Sequence, residues 1–401
     1  MNVSIDILGI IYILGVIQGF LLTILLFSKY RKSEANIILA WLVLLYSVFI
    51  VQVLLFRVPE IVVNYPHLLL LFDGLPFLFG PLHLIYVGKL TDTRLKFAQP
   101  HWFHFVPFIV FKLYYLRIFL LSKEELYAVI LQVQQNMRPL HLTISGMLVA
   151  VQGMVYVITA LYVFKEYSNK IKFTFSSLEK INLSWLRYFT ILALIVWSIE
   201  FVDDVLRIGG IDLHSLTVLV PLLTSLFVYA IGYIGMFKTE IFLQSEISDN
   251  IHDAKDLAAG IVETESPGTA DRKYQKSGLT EEKANEYLEK LKSLMEHERL
   301  YMNPELTLRD LSANLGTSTH NISEVINTNL NQNFFDFINH YRVGKVKEDL
   351  LNSKKDHLTL FGIAVEAGFN SKSGFNAIFK RYTGQTPSEY RNNIKQRGKR
   401  R

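Results

Sequence analysis

Long uninterrupted apolar runs restrict the fold of this chain more than any other feature. A helix of about 20 apolar residues, rising 1.5 Å per residue, is long enough to cross a hydrocarbon core of about 30 Å. Seven such runs lie near residues 5–27, 37–56, 68–88, 102–121, 141–164, 185–206 and 214–237. The third contains Asp73, Pro76 and Pro81, and the fourth contains His104, Lys112 and Arg117. A buried core helix is the alternative for any one run, but seven in succession predict a polytopic membrane bundle.

Charge in the connecting segments orients the bundle. No basic residue precedes the first run, and Lys29, Arg31 and Lys32 follow it, which argues against a cleaved signal peptide and places the N-terminus outside. With alternating spans, the inner segments hold Lys29, Arg31, Lys32, Lys89, Arg94, Lys96, Lys165, Lys170, Lys172, Lys180 and Arg187. The outer segments hold only Arg57, Arg117, Lys123, Arg138 and Arg207. Seven crossings then deliver the C-terminal half to the cytoplasm of a bacterial inner membrane.

Composition changes near residue 240. Half of the 401 residues are hydrophobic, and they are concentrated before that point, while the remainder is polar and rich in Lys, Glu and Asn. The net charge of +5 is uneven, because between Lys372 and Arg401 nine Lys or Arg face the single acid Glu389. Such a tail favours a polyanion. The absence of cysteine excludes disulfides, Cys-ligated zinc and thiol catalysis. The expected organisation is a transmembrane domain over 1–240, a linker over 241–280 containing ETESPGTADRKYQKSG, and a soluble domain over 281–401. Exposure around Pro267 would permit proteolytic release of that domain. A helix capped by Thr280 is expected over 281–299, either docked on the following domain or paired with a second copy.

TLRDLSANLG at 307–316 and TLFGIAVEAG at 359–368 align with a shift of 52 residues, matching Thr307 with Thr359, Leu308 with Leu360, Leu311 with Ile363 and Gly316 with Gly368. Each reads as a short helix with a Thr N-cap, an apolar stripe and a glycine able to take the left-handed conformation that ends it. A second helix follows each copy, STHNISEVINT and NSKSGFNAIFKRY, giving helix-turn-helix units near 307–328 and 359–382. Between them NFFDFINHYRVGKVKEDLL, with Phe335, Ile338, Val343 and Val346, is expected to be a linking helix. Thr386, Pro387 and Glu389 then form a capping box.

The segment from about 300 to 395 resembles the AraC/XylS family of bacterial transcription regulators. The residues carrying the resemblance are LTLRDLSANLGTSTHNISEVIN and IAVEAGFNSKSGFNAIFKRYTGQTPSEYR, especially Ala364, Gly368, Phe369, Phe375, Phe379, Lys380, Gly384, Pro387 and Tyr390. It covers about a quarter of the chain and implies two helix-turn-helix units on a linking helix that bind double-stranded promoter DNA. The fold class expected is therefore all-α: a seven-helix transmembrane bundle followed by a soluble AraC-type double helix-turn-helix domain.

Two recognition helices on one scaffold can enter the major groove about one turn, ~34 Å, apart. With Ile322, Val325 and Ile326 committed to the core, Thr319, His320, Ser323 and Glu324 are expected to face DNA. Glu324 either reads a cytosine amino group or stays solvated. In the second unit the outward positions are Lys372, Ser373, Asn376 and Ala377, with Asn376 suited to an adenine edge and Lys380 and Arg381 to phosphate. Ala377 stands where the family often has a longer polar side chain, and Gly374 weakens the helix by about 1 kcal/mol relative to Ala.

Charged groups within a span are costly and face a cavity or a partner. Glu200, Asp203, Asp204 and Arg207 share one helical face in the sixth run, toward the outer side, as are Asp73 and Lys112. Two readings stand: an outward polar pocket for a small signal molecule, or a structural ion-pair network with interfacial snorkelling. His101 and His104 have no third ligand nearby and read as interface residues. No cofactor or catalytic motif is evident. The expected function is a membrane-embedded one-component transcription regulator contacting promoter DNA, membrane lipid, a small-molecule signal and a second copy. A polytopic transporter or membrane enzyme with a regulatory tail is the rival.

Overall fold

The structure, a computed structural model, describes residues 6–28, 33–91, 101–134, 139–178, 181, 183–211, 214–237 and 279–399. The linker expected over 241–280 lies almost entirely outside the described residues, as do Lys29, Arg31, Lys32, Arg94, Lys96, Arg138, Lys180, Pro267, Arg400 and Arg401. The chain divides into two units, 1–165 with 183–246, and 166–182 with 247–401. All regular elements among the described residues are helices.

The first unit begins with α1 (Ile7–Ser28) and α2 (Glu34–Phe56), an antiparallel hairpin. They approach so closely that a Cβ on Gly19 would fall 2.0 Å from Ser47 Oγ. Small residues permit this close contact. Helices α3 (Pro59–Asn64) and α4 (Pro66–Leu71) follow, and a turn containing Asp73 leads to α5 (Pro76–Leu90). The third run is thus broken at Pro76, whose ring is tolerated at the first position of a helix, while Pro81 is accommodated inside α5.

The fourth run starts as a 3-10 turn (His101–Phe105) and continues as α6 (Val106–Phe119). Helix α7 (Lys123–Gln134) packs Leu126 and Ile130 against Val62 and Leu69 of α3 and α4. The long helix α8 (Leu140–Thr174), α9 (Ser184–Ile208) and α10 (His214–Phe237) complete the apolar half. Two ion pairs mark opposite ends of the α1–α2 hairpin: Arg57 with Asp6 at 2.7 Å, and Lys89 with Glu34 at 2.5 Å.

Among the described residues, five segments are long and apolar enough to cross a membrane: Ile7–Ser28, Glu34–Phe56, Pro66–Leu90, Trp102–Phe119 and Leu140–Thr174. The helices of the sixth and seventh runs have 25 and 24 residues. Outward faces are apolar as well as inward ones. On α1 the exposed stripe is Ile7, Ile10, Leu14, Ile17, Leu21 and Ile24, and on α8 it is Ile144, Leu148, Val151, Val155 and Ile158. A helix facing water would carry charge at those positions.

In the second unit α11 (Glu281–Ser293) starts at Thr280, whose Oγ1 accepts from Lys283 N. A π turn (Leu294–Glu298) and the left-handed Arg299 end it. Its stripe of Ala284 and Leu291, extended by Met295, is consumed by docking on Leu308, Leu311, Ile322, Val325 and Ile326. Four helices then form two pairs, α12 (Leu308–Leu315) with α13 (Thr319–Leu330), and α15 (Leu360–Glu366) with α16 (Lys372–Thr383). Between them α14 (Phe334–Leu351) belongs to both cores: Phe334, Phe337 and Ile338 pack in the first, and Val343, Val346 and Leu350 in the second. Helix α17 (Pro387–Lys399) closes the unit with the expected capping box, Thr386 N donating to Glu389 Oε2 at 2.8 Å and Glu389 N to Thr386 Oγ1 at 3.3 Å.

Buried Asp349 holds the far end of α14, accepting from Lys345 Nζ at 2.7 Å and Lys355 Nζ at 2.9 Å. Burial alone would raise its pKa, but the two ammonium groups outweigh burial and hold it below the usual carboxylate range. A depressed folded-state pKa contributes stability that is present above the unfolded value, about 3.9, and is lost as pH falls through the folded one. Hydrogen exchange of residues 343–366 in the intact protein should therefore accelerate below about pH 4. Asp349→Asn should accelerate it at neutral pH and flatten that acid dependence.

Candidate nucleic-acid interface and helix-bundle cavity

The two helix pairs are built by the same local chemistry. Thr307 Oγ1 accepts from Asp310 N while Asp310 Oδ2 accepts from Thr307 N, and Thr359 Oγ1 accepts from Gly362 N at 2.9 Å. The turns use Gly316 (φ +61°) and Gly368 (φ +94°), a region unfavourable to side chains with a Cβ. Each second helix has a serine N-cap that the aligned sequences did not single out: Ser318 accepts from Asn321 N, and Ser371 from Gly374 N. A serine oxygen just before each helix satisfies one of its orphan N–H groups.

On α16 the division of faces is clear. Phe375 and Phe379 are buried, and Lys372, Ser373, Asn376, Ala377, Lys380 and Arg381 are exposed. Arg381 is nevertheless committed: its guanidinium pairs with Asp336 at the start of α14 and lies 5.7 Å from the Phe335 ring. Together with Tyr382 Oη, which donates to Asp336 O at 2.8 Å, it braces the end of α16.

Helix α13 exposes less than expected. Thr319 and His320 are half-buried at its start, but Ser323 is only 3% exposed and does not face outward. The helix is packed by α11, α12 and α14, so its buried arc widens beyond Ile322, Val325 and Ile326 to take in Ser323. The Glu324 side chain is 13% exposed, with Oε2 3.8 Å from His320 Nε2, so its carboxylate is drawn along the helix rather than left solvated.

The helix-turn-helix domain family model matches residues 311–393, from Leu311 in α12 through both helix pairs to Asn393 in α17. These residues form an AraC-type helix-turn-helix domain. Two uncharacterized HTH-type transcriptional regulators of Staphylococcus aureus, from strains COL and MSSA476, are each 31% identical over 103 residues, 26% of this chain and 13% of each relative. The chain thus spans about 13% of the length of the curated relatives it matches. No solved structure matches it significantly.

The AraC-type domain also contains a polar centre that no motif announced. Arg342 of α14 is 1% exposed and directs its guanidinium at the backbone ahead of α12. Nε donates to Tyr301 O and Nη2 to Asn303 O, both at 2.8 Å. Burial pulls its pKa down to about 10, which leaves it charged at neutral pH.

In the other unit, a cavity of about 330 Å³ opens among the helices. Its wall is largely aromatic and aliphatic, with Asp73, Glu200, Gln52, Tyr115 and Ser145 as polar exceptions. Gln52 Nε2 donates to Asp73 Oδ1 at 2.6 Å, and Tyr115 Oη lies 3.1 Å from Ser145 Oγ. Its lining comes from the second half of α2, the starts of α5 and α8, and the middle turns of α6, α9 and α10.

Of the charged residues expected together, the structure gathers only Asp73 and Glu200 on the cavity wall. Lys112 instead donates to the carbonyl oxygens of Leu70 and Leu71, where a cation suits the C-terminus of α4. Arg207 Nε pairs with Asp203 Oδ2 at 2.8 Å, and both Asp203 and Asp204 are buried. Asp204 lies against Gly146 of α8, where a Cβ would come within 2.3 Å of its Oδ2. This face thus combines a cavity wall at Glu200 with an ion pair one turn further on. His104 Nδ1 lies 2.6 Å from Tyr156 Oη.

The two turn glycines differ in a testable way. A Cβ on Gly316 meets nothing within 4 Å, whereas one on Gly368 would fall 2.5 Å from Tyr301 O. Gly316→Ala should cost about 1–2 kcal/mol from its left-handed backbone alone. Gly368→Ala adds a collision with rigid backbone and should destabilise the domain by more than about 3 kcal/mol. Hydrogen exchange of α14 in the two full-length variants compares them directly.

Proposed function

We propose that this chain is a membrane-embedded transcription regulator whose AraC-type domain binds promoter DNA and whose helix bundle receives a small-molecule signal. The observation that carries the DNA-binding part is the exposed face of α16. Lys372, Ser373, Asn376 and Lys380 recur along it while Phe375 and Phe379 hold the opposite face in the core. That arrangement offers an amide for bidentate contact with adenine and cations for phosphate. Thr319 and His320 supply the half-buried start of α13. Ser323 and Glu324 have little surface to contribute, and Arg381 acts through Asp336 as a brace.

Membrane embedding is supported by the apolar outward stripes of α1 and α8, which suit lipid acyl chains. The topology gains support from the second unit, where the 166–182 segment between the fifth and sixth runs is part of the same body as the AraC-type domain. Charge counting places that segment inside, so the domain reaches the compartment where DNA is. The cavity, at the outer end in this topology, suits an amphipathic molecule with an apolar or aromatic body and a hydrogen-bond-donating or cationic head facing Asp73 and Glu200. A transporter would need polar groups along a complete path, and the cavity wall is largely apolar.

Genomic DNA retained by the intact protein in lipid nanodiscs should yield a sequence-selective set of sites with steep salt dependence. Asn376→Ala should cost about 1–3 kcal/mol and relax preference at one base pair, whereas Lys380→Ala should weaken all sites alike and reduce the salt slope by about 1. Absence of selective retention at every ionic strength removes the DNA-binding reading. In cells, Glu200→Gln and Asp73→Asn should abolish response to the stimulus without loss of protein from the membrane. An unchanged response counts against the cavity.

A further inference from the structure

The acceptors named so far serve only part of the Arg342 guanidinium. Its remaining donors meet a segment far away in sequence, Phe175–Ser177, which directly follows α8. Nη1 donates to Ser176 O at 2.9 Å and Nη2 to Ser176 Oγ at 3.0 Å, with Asn339 Oδ1 at 3.5 Å from Nη1. All the acceptors around this cation are neutral, and two of them belong to Ser176.

Three consecutive residues touch the entry to the first helix pair, the linking helix and the loop before α16. Phe175 forms an isolated antiparallel bridge with Thr307, the N-cap of the first unit. Ser176 donates through N and Oγ to Leu306 O, at 3.3 and 2.6 Å, and its own carbonyl also accepts from Asn339 Nδ2 of the linking helix at 3.3 Å. Ser177 Oγ donates to Asn370 Oδ1 at 3.0 Å, one residue before the N-cap of α16. The segment closes on itself behind this contact, Tyr167 Oη donating to Ile181 O at 2.8 Å. Ser176 is 1% exposed, so water does not substitute for it in the docked state.

We propose that Phe175–Ser177 is an intramolecular ligand of the AraC-type domain, whose docking in the Arg342 notch sets how the two helix-turn-helix units are held and thereby controls DNA engagement. This control role rests on the regulator reading above. Chain connectivity favours it as the route of coupling. Helix α8 has 35 residues, about 50 Å at 1.5 Å per residue, well beyond a hydrocarbon core of about 30 Å. Its last residue, Thr174, is two positions from Ser176, whereas the covalent route from α10 to α11 passes through more than 40 residues. A displacement of α8 therefore reaches the notch through a stiff element two residues away. Docked and undocked states supply the two-state element that coupling between distant sites requires.

The chain has no cysteine, so a Ser177→Cys, Asn370→Cys pair in the full-length protein is a unique cross-linking reporter. In nanodiscs, mild oxidation should join the pair, and each single variant should not cross-link within the chain. On a chromosomal site mapped for the unmodified protein, the oxidised pair should differ at least tenfold in affinity from its reduced form, with reduction restoring the original value. Ser176→Ala, which removes the hydroxyl and keeps the backbone bonds, should shift affinity in the opposite sense to the cross-link. Failure of the folded double variant to cross-link overturns the docking. A cross-link that leaves affinity within twofold overturns the control role. Cross-link yield is read without DNA, so a chain that docks but selects no DNA in any state instead overturns the regulator reading, and the control role with it.

Discussion

A guanidinium removed from water must find an acceptor for each of its N–H groups, and in the AraC-type region that requirement falls on Arg342. The acceptors come from Tyr301 and Asn303 ahead of the first unit, from Asn339 one turn back on α14, and from Ser176. A single cation thereby ties the entry to the first unit, the linking helix and the segment after α8 to one point. Gly368 belongs to the same arrangement, because only a residue without Cβ leaves room for Tyr301 O and Arg342 Nε beside the second turn. Either side of this point, α14 spends its two ends on separate apolar cores. A polar centre thus sits between two apolar ones.

The helix bundle solves a different problem. Its helices are apolar on both faces, so apolar burial alone does not choose their neighbours, and small residues and sparse polar contacts decide the packing. Gly19 against Ser47 and Gly146 against Asp204 are close approaches of this kind. Polar groups left within the bundle pair where a partner is one turn away, as Asp203 does with Arg207, or gather around the cavity, as Gln52, Asp73 and Glu200 do. In the proposed regulator the cavity and the DNA-reading face lie at opposite ends of the covalent path through α8.

Much of the architecture was legible in the residues because it depends on near neighbours. The caps at Thr307, Thr359 and Thr386, the turns at Gly316 and Gly368 and the interruption at Pro76 involve atoms three or four residues apart. Face assignment on α16 followed from Phe375 and Phe379 for the same reason. It failed at Ser323, since the width of a buried arc depends on how many other helices press on it. The partners of Lys112 and Arg381, the end of α4 and Asp336, lie tens of residues away along the chain and were not legible in it.

By itself the sequence determined that the chain is all-helical, where its main apolar runs lie, how the helices of the last quarter are capped, and that this quarter carries a duplicated helix-turn-helix plan. Those properties arise from backbone capping, periodicity and hydrophobic length, which act locally along the chain. Only the tertiary structure decided which charges meet the cavity, which cations brace the recognition helices, and that Ser176 completes the shell of Arg342, 166 residues away. Hydrogen bonds over such separations exist only once the intervening helices have packed, and no pattern along the chain records them.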